Sequence, residues 1–544
     1  STSATVDPAE TMGTRASCTI ALKNSLDEMA GIDKNIIART DPFNSGTFWG
    51  KFKAIFPYIF GSEVRVYRGY VGGTFDVEHY TIDDMAGPDN RGGFSFRCVD
   101  LLKLTNGDSS QFPAASSGNL VADITSTQTS FTIQPSGIGD IEYPASGRIA
   151  VGKEAMDFTR VGDVFTVTRG VLGDQKDHKT GDTVQIVGRY DAQTVSDIIY
   201  DLITNYTPIN ASHIDKAAWD SEILLYQDVL YSANIVKPEP VSRLINELIR
   251  QAGLIFFVDV EANKIVLKVL RPTICSLDLD ENNISGFAQR DEQRKRISQV
   301  WTYYNQKNPF LKINEETNYF SALITPTSEN LYQTEQIEKV FSRWIPEGAS
   351  SVASTLNGRL LERYQIAPRK FNFSAFRDLP LTLGEGACLK HRALEGAFGT
   401  VEEAPAYITS IGRGVADINV TAQEFKFTEA GGNDRRITID YSQNNINLRA
   451  IYDSIYSTLD AAYTVEFIII SGVIVGSVSN ELNALESGDW GGILTPTLTI
   501  QSGGFVVGKG GNGYTPPALP IPPENDGGNA LNVTHAITID NQGV

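Results

Sequence analysis

Between residues 116 and 190 the chain is a series of short β-forming runs cut apart by turn residues, and no other feature constrains its fold as much. Residues 130–133, 147–151, 155–159, 164–169 and 183–187 are each about five residues long, and breaks such as 135–139 (PSGIG) and 160–163 (RVGD) separate them. Strands this short cannot bury a face singly; several must pair and close. That predicts a small antiparallel barrel inserted over 116–190. The same character opens the chain. Residues 17–22 (SCTIAL), 63–70 (EVRVYRGY), 78–82 and 93–99 (GFSFRCV) surround an aromatic-rich segment at 43–60. They predict a β domain of barrel or sandwich type over 1–115.

The period changes at 191. Val195, Ile198, Ile199, Leu202 and Ile203 recur at helical spacing behind Thr194 or Asp191 as the cap. A second helix follows Pro240, with Leu244, Leu248, Ile249 and Ala252 on one face and Gly253 as its stop. Residues 254–260 and 264–270 flank 261–263 as a hairpin. Residues 191–275 therefore read as a helical and hairpin connecting domain. Residues 276–440 return to strand, with one helical stretch at 356–364 (LNGRLLERY), and read as a second β domain.

Residues 441–476 hold a helix at 445–459 and an apolar, β-branched strand at 467–476 (FIIISGVIVG). Leu448, Ile451, Ile455 and Leu459 form a short coiled-coil-like seam, which fits self-association and equally fits a helix packed on its own domain. Residues 477–544 are rich in Gly, Pro and Asn. Residues 498–505 (LTIQSGGF) and 537–544 (ITIDNQGV) repeat weakly, and 516–523 (PPALPIPP) runs extended between them. Short repeated strands after a helix predict an intertwined, fibre-like base. The fold class is mainly β with short helices (α+β): tandem β-barrel-like domains, a small inserted β-barrel, then a helix and a Gly-rich, fibre-like C-terminus.

The 544 residues carry 46 Lys+Arg against 65 Asp+Glu, a formal charge of −19. A grip on a phosphate backbone needs Lys and Arg to displace counterions, so nucleic-acid binding is disfavoured. An acidic conduit that DNA passes without sticking is compatible with this charge. Cys18, Cys98, Cys275 and Cys388 contain no CxxC pair and predict small buried side chains, not a disulfide scaffold. Residues 1–16 hold no apolar signal region. Ser1 stands where an initiator Met would, so the natural start is expected upstream. The 467–476 run is shorter than the roughly 20 residues a membrane helix needs.

The search for chemistry finds no convergent site. His79, His178, His213, His391 and His535 are scattered, and Cys388 with His391 lacks the second pair of a zinc site. Residues 503–509 (GGFVVGK) have phosphate-loop spacing, but Gly510 follows where the loop needs Ser or Thr. Asp278, Asp280 and Asn282 have the opening spacing of a calcium loop, but Asn283 and Gln289 replace its Gly and Glu. The mixed run 290–296 (RDEQRKR) reads as a solvated loop or strand edge. No GxSxG elbow is present. The expectation is no catalytic, cofactor-binding or metal-ligating residues and no cofactor.

Several ordered segments carry a resemblance. They are GTRASCTIAL (13–22), DPFNSGTFWGKFKAIFPY (41–58), VRVYRGY (64–70) and YTIDDMAGPDNRGGFSFRCVDLLKL (80–104), then ASGRIAVGKEAMDFTRVGDVFTVTRGVLGD (145–174), DAQTVSDIIYDLITNY (191–206) and residues 241–272. Together they resemble the tail hub or central tail-tip (baseplate hub) proteins of siphophages and gene-transfer particles, closely from 13 to 272 and more loosely to 440. The resemblance implies a homotrimer whose two β hub domains per chain, 1–115 and 276–440, present a pseudo-sixfold ring. It implies a virion location at the distal end of the tail, after synthesis in the host cytoplasm. The implied partners are other copies of the chain, a distal tail protein, the tape measure protein and tail-tip fibre or receptor-binding proteins.

The expected function follows from that likeness. A trimeric hub closes the tail tube, anchors the central fibre and opens for DNA ejection after host attachment, while DNA transits without specific binding. Residues 441–476 would lie at the trimer axis and 477–544 would form the fibre base. Leu448, Ile451, Ile455, Leu459, Phe467, Ile469 and Val473 are the candidates for trimer contact and lumen closure. The rival expectation is a tail-associated cell-wall or polysaccharide hydrolase with β support domains.

Overall fold

The computed structural model describes residues 2–6, 11–12, 16–23, 48–69, 72–73, 75–107, 110–227, 229–270, 277–326, 334–376, 379–396, 399–414, 417–425, 434–439, 442–455, 464–469, 471–479, 482–492, 494–509 and 529–542. The chain is mainly β, with 46% strand and 19% helix, and its sheets curl into half-barrels and near-barrels. Two compact units divide it, Ser1–Thr428 and Glu429–Val544.

In the first unit, one eleven-stranded sheet gathers strands from both ends of that unit. Its main path runs Ile284–Asp291, Arg369–Phe376, Asp417–Glu424, Val401–Arg413, Thr2–Thr5, Ser17–Lys23, Gly93–Val99, Phe75–Ala86 and Glu63–Gly69. The junction is Thr2–Thr5. It pairs antiparallel with Ser17–Lys23 on one side and with Val401–Arg413 on the other. Strands from 1–115 and from 276–440 therefore share one sheet. The strand Phe75–Ala86 of this sheet carries a buried acid. Glu78 is 1% exposed, accepts from the Tyr80 hydroxyl at 3.1 Å and has Arg68 at 3.3 Å.

Cys18 and Cys98 are free, buried and directly opposite each other in the Ser17–Lys23/Gly93–Val99 ladder. Burial pushes the Cys98 thiol up to about 11. Cys388 corrects the expectation of four plain thiols: it is buried but disulfide-bonded. Sequence spacing says nothing about which sulfurs meet in space. Cys275 lies outside the described residues.

The inserted module is an antiparallel sheet in the order Val184–Ile186, Ser146–Val151, Glu154–Val161, Val164–Gly173, Ser130–Gln134, Asn119–Leu120. Backbone bonds from Leu120 to Asp182, Gly181 to Leu120 and Val184 to Gly118 join its two ends and close the barrel. Alternation along each strand sends Ile149, Val151, Met156, Phe165 and Val184 inward, where they are fully buried. A carboxylate sits fully buried on this module. Glu154 receives both arms of Arg169 at 2.8 Å, His178 Nε2 at 3.0 Å, and the backbone N–H groups of Gly170 and Lys176. Burial opposes its charge, but the hydrogen bonds from Arg169, His178, Lys176 and Gly170 outweigh burial and hold its pKa down to about 2.

The connecting region behaves as its periodicity predicts. The helix Val195–Tyr206 is capped by Thr194, whose hydroxyl accepts from Asp197 N at 3.2 Å. The helix Val241–Ala252 ends at Gly253, whose φ of +65° suits glycine. Strands Leu254–Asp259 and Lys264–Val269 form the antiparallel hairpin. These elements and the helix Ser350–Tyr364 share one large core. At its edge Arg343 is held by Glu239 and Glu247 through four bonds of 2.7–2.8 Å.

Candidate functional site

The second unit contains every described residue of the predicted trimer and lumen set. Its strands are short and pair in parallel across three sheets. The first sheet stacks Asp434–Ile439, Thr464–Ile469, Thr497–Ile500 and Thr538–Asn541. The second stacks Gln443–Asn444, Ile474–Gly476 and Phe505–Val507. The third stacks Ile446–Asn447, Leu485–Glu486 and Leu531–Asn532. Chain order visits the three sheets in turn, so the unit is a parallel β-solenoid whose coils repeat the same three faces.

This arrangement explains the weak sequence repeat and corrects its reading. The strands do not need other chains to intertwine; they stack as coils of a single chain. The repeat read from sequence aligns Leu498 with Ile537, whereas the ladder pairs Leu498 with Ile539. A two-residue shift preserves which side chains face inward, which is why the pattern is visible at the wrong register.

Identical faces stack their inward residues in columns. Ile437, Phe467 and Leu498 form one column, continued by the exposed Ile539 of the last strand, and Ile439, Ile469 and Ile500 lie in the next. Phe467, Ile469, Val475, Leu485, Tyr452 and Trp490 are fully buried in the common core. Trp490 is its largest side chain. It meets Tyr452 and Phe467 edge-on at 5.2 and 6.1 Å, and its Nε1 donates to the Ser487 carbonyl at 2.8 Å. The Ser487 hydroxyl accepts the N–H groups of Thr534 and His535 at 2.9 and 3.1 Å, which fastens successive coils at that corner.

Corners are held by Asn and Gly, whose side-chain bonds and backbone freedom suit tight turns. Asn445 adopts φ +54° and donates to Ser477 Oγ and the Asn483 carbonyl. Gly488 has φ +76°, and a Cβ there would meet Arg449 Cβ at 2.3 Å. Hydrogen bonds from Asn483 and Asn447 hold the Glu486 carboxyl below its usual range.

The structure places the predicted residues as follows. Leu448, Phe467, Ile469 and Val473 are buried in the core of their own unit, and Ile451 packs partly buried against it. Ile455 ends the helix Leu448–Ile455, and Leu459 lies outside the described residues. Two outward residues escaped the sequence reading. Ile474 and Phe505 are neighbours in the second sheet at 49% and 55% exposure, with Val507 exposed beside them. Alternation with buried Val475 was the signal for them.

The remaining motifs are turns and packing. Asp280 accepts from Asn282 N at 2.8 Å and Asn283 accepts from Asp280 N at 2.9 Å, so the calcium-like spacing closes a turn. His391 stacks on Phe287 at 4.4 Å. Lys509 of the GGFVVGK run donates to the Val478 carbonyl. Among the described residues no group of three or more His, Cys, Asp or Glu is placed to hold a metal, and no helix is long and apolar enough to cross a membrane.

Residues 434–544, nearly the whole of this unit, match the family model described as Phage tail fibre adhesin Gp38. Comparison with curated proteins gives no match. Among solved structures, the chain is similar to the 43 kDa tail protein of prophage MuSo2 from Shewanella oneidensis at 11% identity and a TM-score of 0.38, with 78% of this chain and 93% of that chain covered. It is similar to the prophage tail protein gp18 of Listeria monocytogenes at 10% identity and a TM-score of 0.33, covering 68% and 87%. It is also similar to a tail protein of Neisseria meningitidis at 10% identity and a TM-score of 0.34, covering 67% and 87%. By the family match, the C-terminal unit is similar to a phage tail fibre adhesin over residues 434–544.

Proposed function

We propose that the chain is a hub at the distal end of a phage tail, acting as a homotrimer that closes the tube and opens for DNA ejection after host attachment. Its action is mechanical, not enzymatic. Its neighbours in this reading are a distal tail protein, the tape measure protein and tail-tip fibre or receptor-binding proteins. The solenoid serves as the base of the central fibre and takes part in host contact.

The observation that carries this reading is an aromatic border on the first unit. Strand Glu63–Gly69 is the last strand on its path of the large sheet. Around it Tyr58, Phe60, Tyr67 and Phe75 are 93%, 51%, 60% and 54% exposed, and no residue of the helix Phe48–Ile55 is buried. Among the described residues no strand pairs with the outer edge of Glu63–Gly69, and an open strand edge flanked by exposed aromatics is the kind of surface that another protein covers. A chain of charge −19 also suits a lumen that DNA must pass without binding. The candidate axis residues enter through the unit they build: Leu448, Phe467, Ile469 and Val473 fix the solenoid, and the exposed Ile474 and Phe505 offer it a contact face.

Native mass spectrometry of the purified chain is expected to give three times the 59.4 kDa of one copy. A stable monomer that clears host peptidoglycan or capsule in a zymogram would replace the hub with a hydrolase.

A further inference from the structure

The large sheet is continuous, but the apolar cores packed on it are separate. On one side of the junction Ala16, Cys18, Tyr80, Phe94, Phe96 and Cys98 form one cluster; on the other Val6, Phe371, Phe373, Ile411 and Val420 belong to another. Thr2–Thr5 sides with the second. It aligns along its whole length with residues 410–413, Val6 N donates to the Thr409 carbonyl at 2.8 Å, and the Val6 side chain is buried. Its ladder with Ser17–Lys23 is shorter, aligning Thr2 with Cys18 and Ser3 with Ser17. Ser17–Lys23 is itself aligned from end to end with Gly93–Val99. Among the described residues Thr2–Thr5 is the strand that joins the two halves of the sheet. Local opening follows the line with the fewest hydrogen bonds and the least shared core, which here is the ladder between Thr2–Thr5 and Ser17–Lys23.

A charge cluster spans the same two halves. Arg68 lies on Glu63–Gly69 and Glu78 on Phe75–Ala86, both in the first half; Arg413 ends Val401–Arg413 in the second. Glu78 is 3.3 Å from Arg68 and 3.7 Å from Arg413, and Arg68 donates to the Arg413 carbonyl at 3.3 Å. Arg413 also pairs with Glu261 at the hairpin tip. Beside the cluster is a cavity of about 110 Å³, lined by Glu78 and Tyr80 from one half, by Leu381, Leu383 and Ile411 from the other, and by residues 257–261 of the hairpin. A void between two halves withholds the dispersion contacts that a packed interior supplies, so charges carry more of the hold there. His79 N donates to the Val260 carbonyl at 2.8 Å, which ties the first half to the hairpin and serves as a pivot when the ladder parts.

We propose that this line is a hinge: Thr2–Thr5 parts from Ser17–Lys23, and the contact of Glu78 with Arg413 is the latch that keeps it shut. In the hub reading, on which its purpose rests, this motion takes part in opening the tube; the motion itself is measured on the isolated full chain.

Two native thiols report it. Cys18 and Cys98 lie opposite each other and share one core, and Cys18 also borders the hinge line through Thr2. Slow alkylation of the folded chain with iodoacetamide, read residue by residue by mass spectrometry, should modify Cys18 faster than Cys98. Arg413→Gln removes the latch from the opposite half without touching the core that holds the thiols. It should raise the Cys18 rate about tenfold, the scale of one charge-assisted contact, and leave the Cys98 rate unchanged. Glu78→Gln should act in the same direction. Arg413 is partly exposed, so its variant is expected to fold, and the Cys98 rate reports that directly. Equal rates for the two thiols in the parent, a parallel rise of both in Arg413→Gln, or a Cys18 rate that this variant does not raise would overturn the hinge. A monomer in native mass spectrometry would sink the hub reading and leave these rates as they stand.

Discussion

Replacing Phe467 by Ala is expected to destabilise the C-terminal solenoid by about 3–5 kcal/mol, the usual cost of removing a buried Phe from a core that cannot collapse around the void. Collapse is restricted here because the ring stands in a column between Ile437 and Leu498, whose spacing is fixed by the parallel ladders on both sides. Trp490 leans on the same ring at 6.1 Å and would lose a contact as well. Hydrogen exchange read by mass spectrometry separates this effect from the rest of the chain. Amides of Thr464–Ile469 and Thr497–Ile500 should exchange about two to three orders of magnitude faster, while those of the large sheet keep their rates. Unchanged protection in the two strands would show that Phe467 is not part of a cooperative solenoid core.

The second large effect concerns Glu154. Glu154→Gln keeps the shape but removes the charge, leaving the nearly buried Arg169 guanidinium without its counterion. Breaking one side of a buried pair costs about 3–5 kcal/mol. The parent barrel also carries a pH signature. The Glu154 carboxyl has a folded value of about 2 against an ordinary 4.5. A depressed acid contributes stability that is fully present above its unfolded value and is lost as pH falls through its folded value. Protection of the Ser146–Val151 and Glu154–Val161 amides should therefore decline between pH 4.5 and about 2 in the parent. The Gln variant should start lower and lose that part of the decline. A parent and variant with parallel pH profiles would remove Glu154 from its assigned role.

Local features were legible in the sequence because local rules decide them. The Thr194 cap, the Gly253 stop and the 254–269 hairpin need only neighbours within a few residues. Thr2–Thr5 was not legible. Four residues without a strong pattern become the junction of the largest sheet only because Val401–Arg413 arrives beside them. The solenoid was half legible. Its third and fourth coils showed as a repeat, but the helix Leu448–Ile455 separates the first coil from the second and breaks the spacing there. Arg296 and Cys388 were misread for one reason: a charged run and an isolated cysteine do not carry their tertiary partners in their spacing. For the candidate site, the apolar, β-branched run 467–476 read as one buried strand; Phe467 and Ile469 are buried, but that strand ends at Ile469 and a second one, Ile474–Gly476, belongs to the next sheet. What that burial faces, a shared axis or the unit's own interior, is a matter of topology that periodicity does not encode.

The most direct test of the hub proposal is a cryo-electron microscopy reconstruction of the tail that carries this chain. The prediction is three copies around the tube axis at the distal end, with the Glu63–Gly69 edge and its exposed aromatics covered by a neighbouring protein. Copies lying off the axis, or a single copy whose aromatic edge faces solvent, would contradict it.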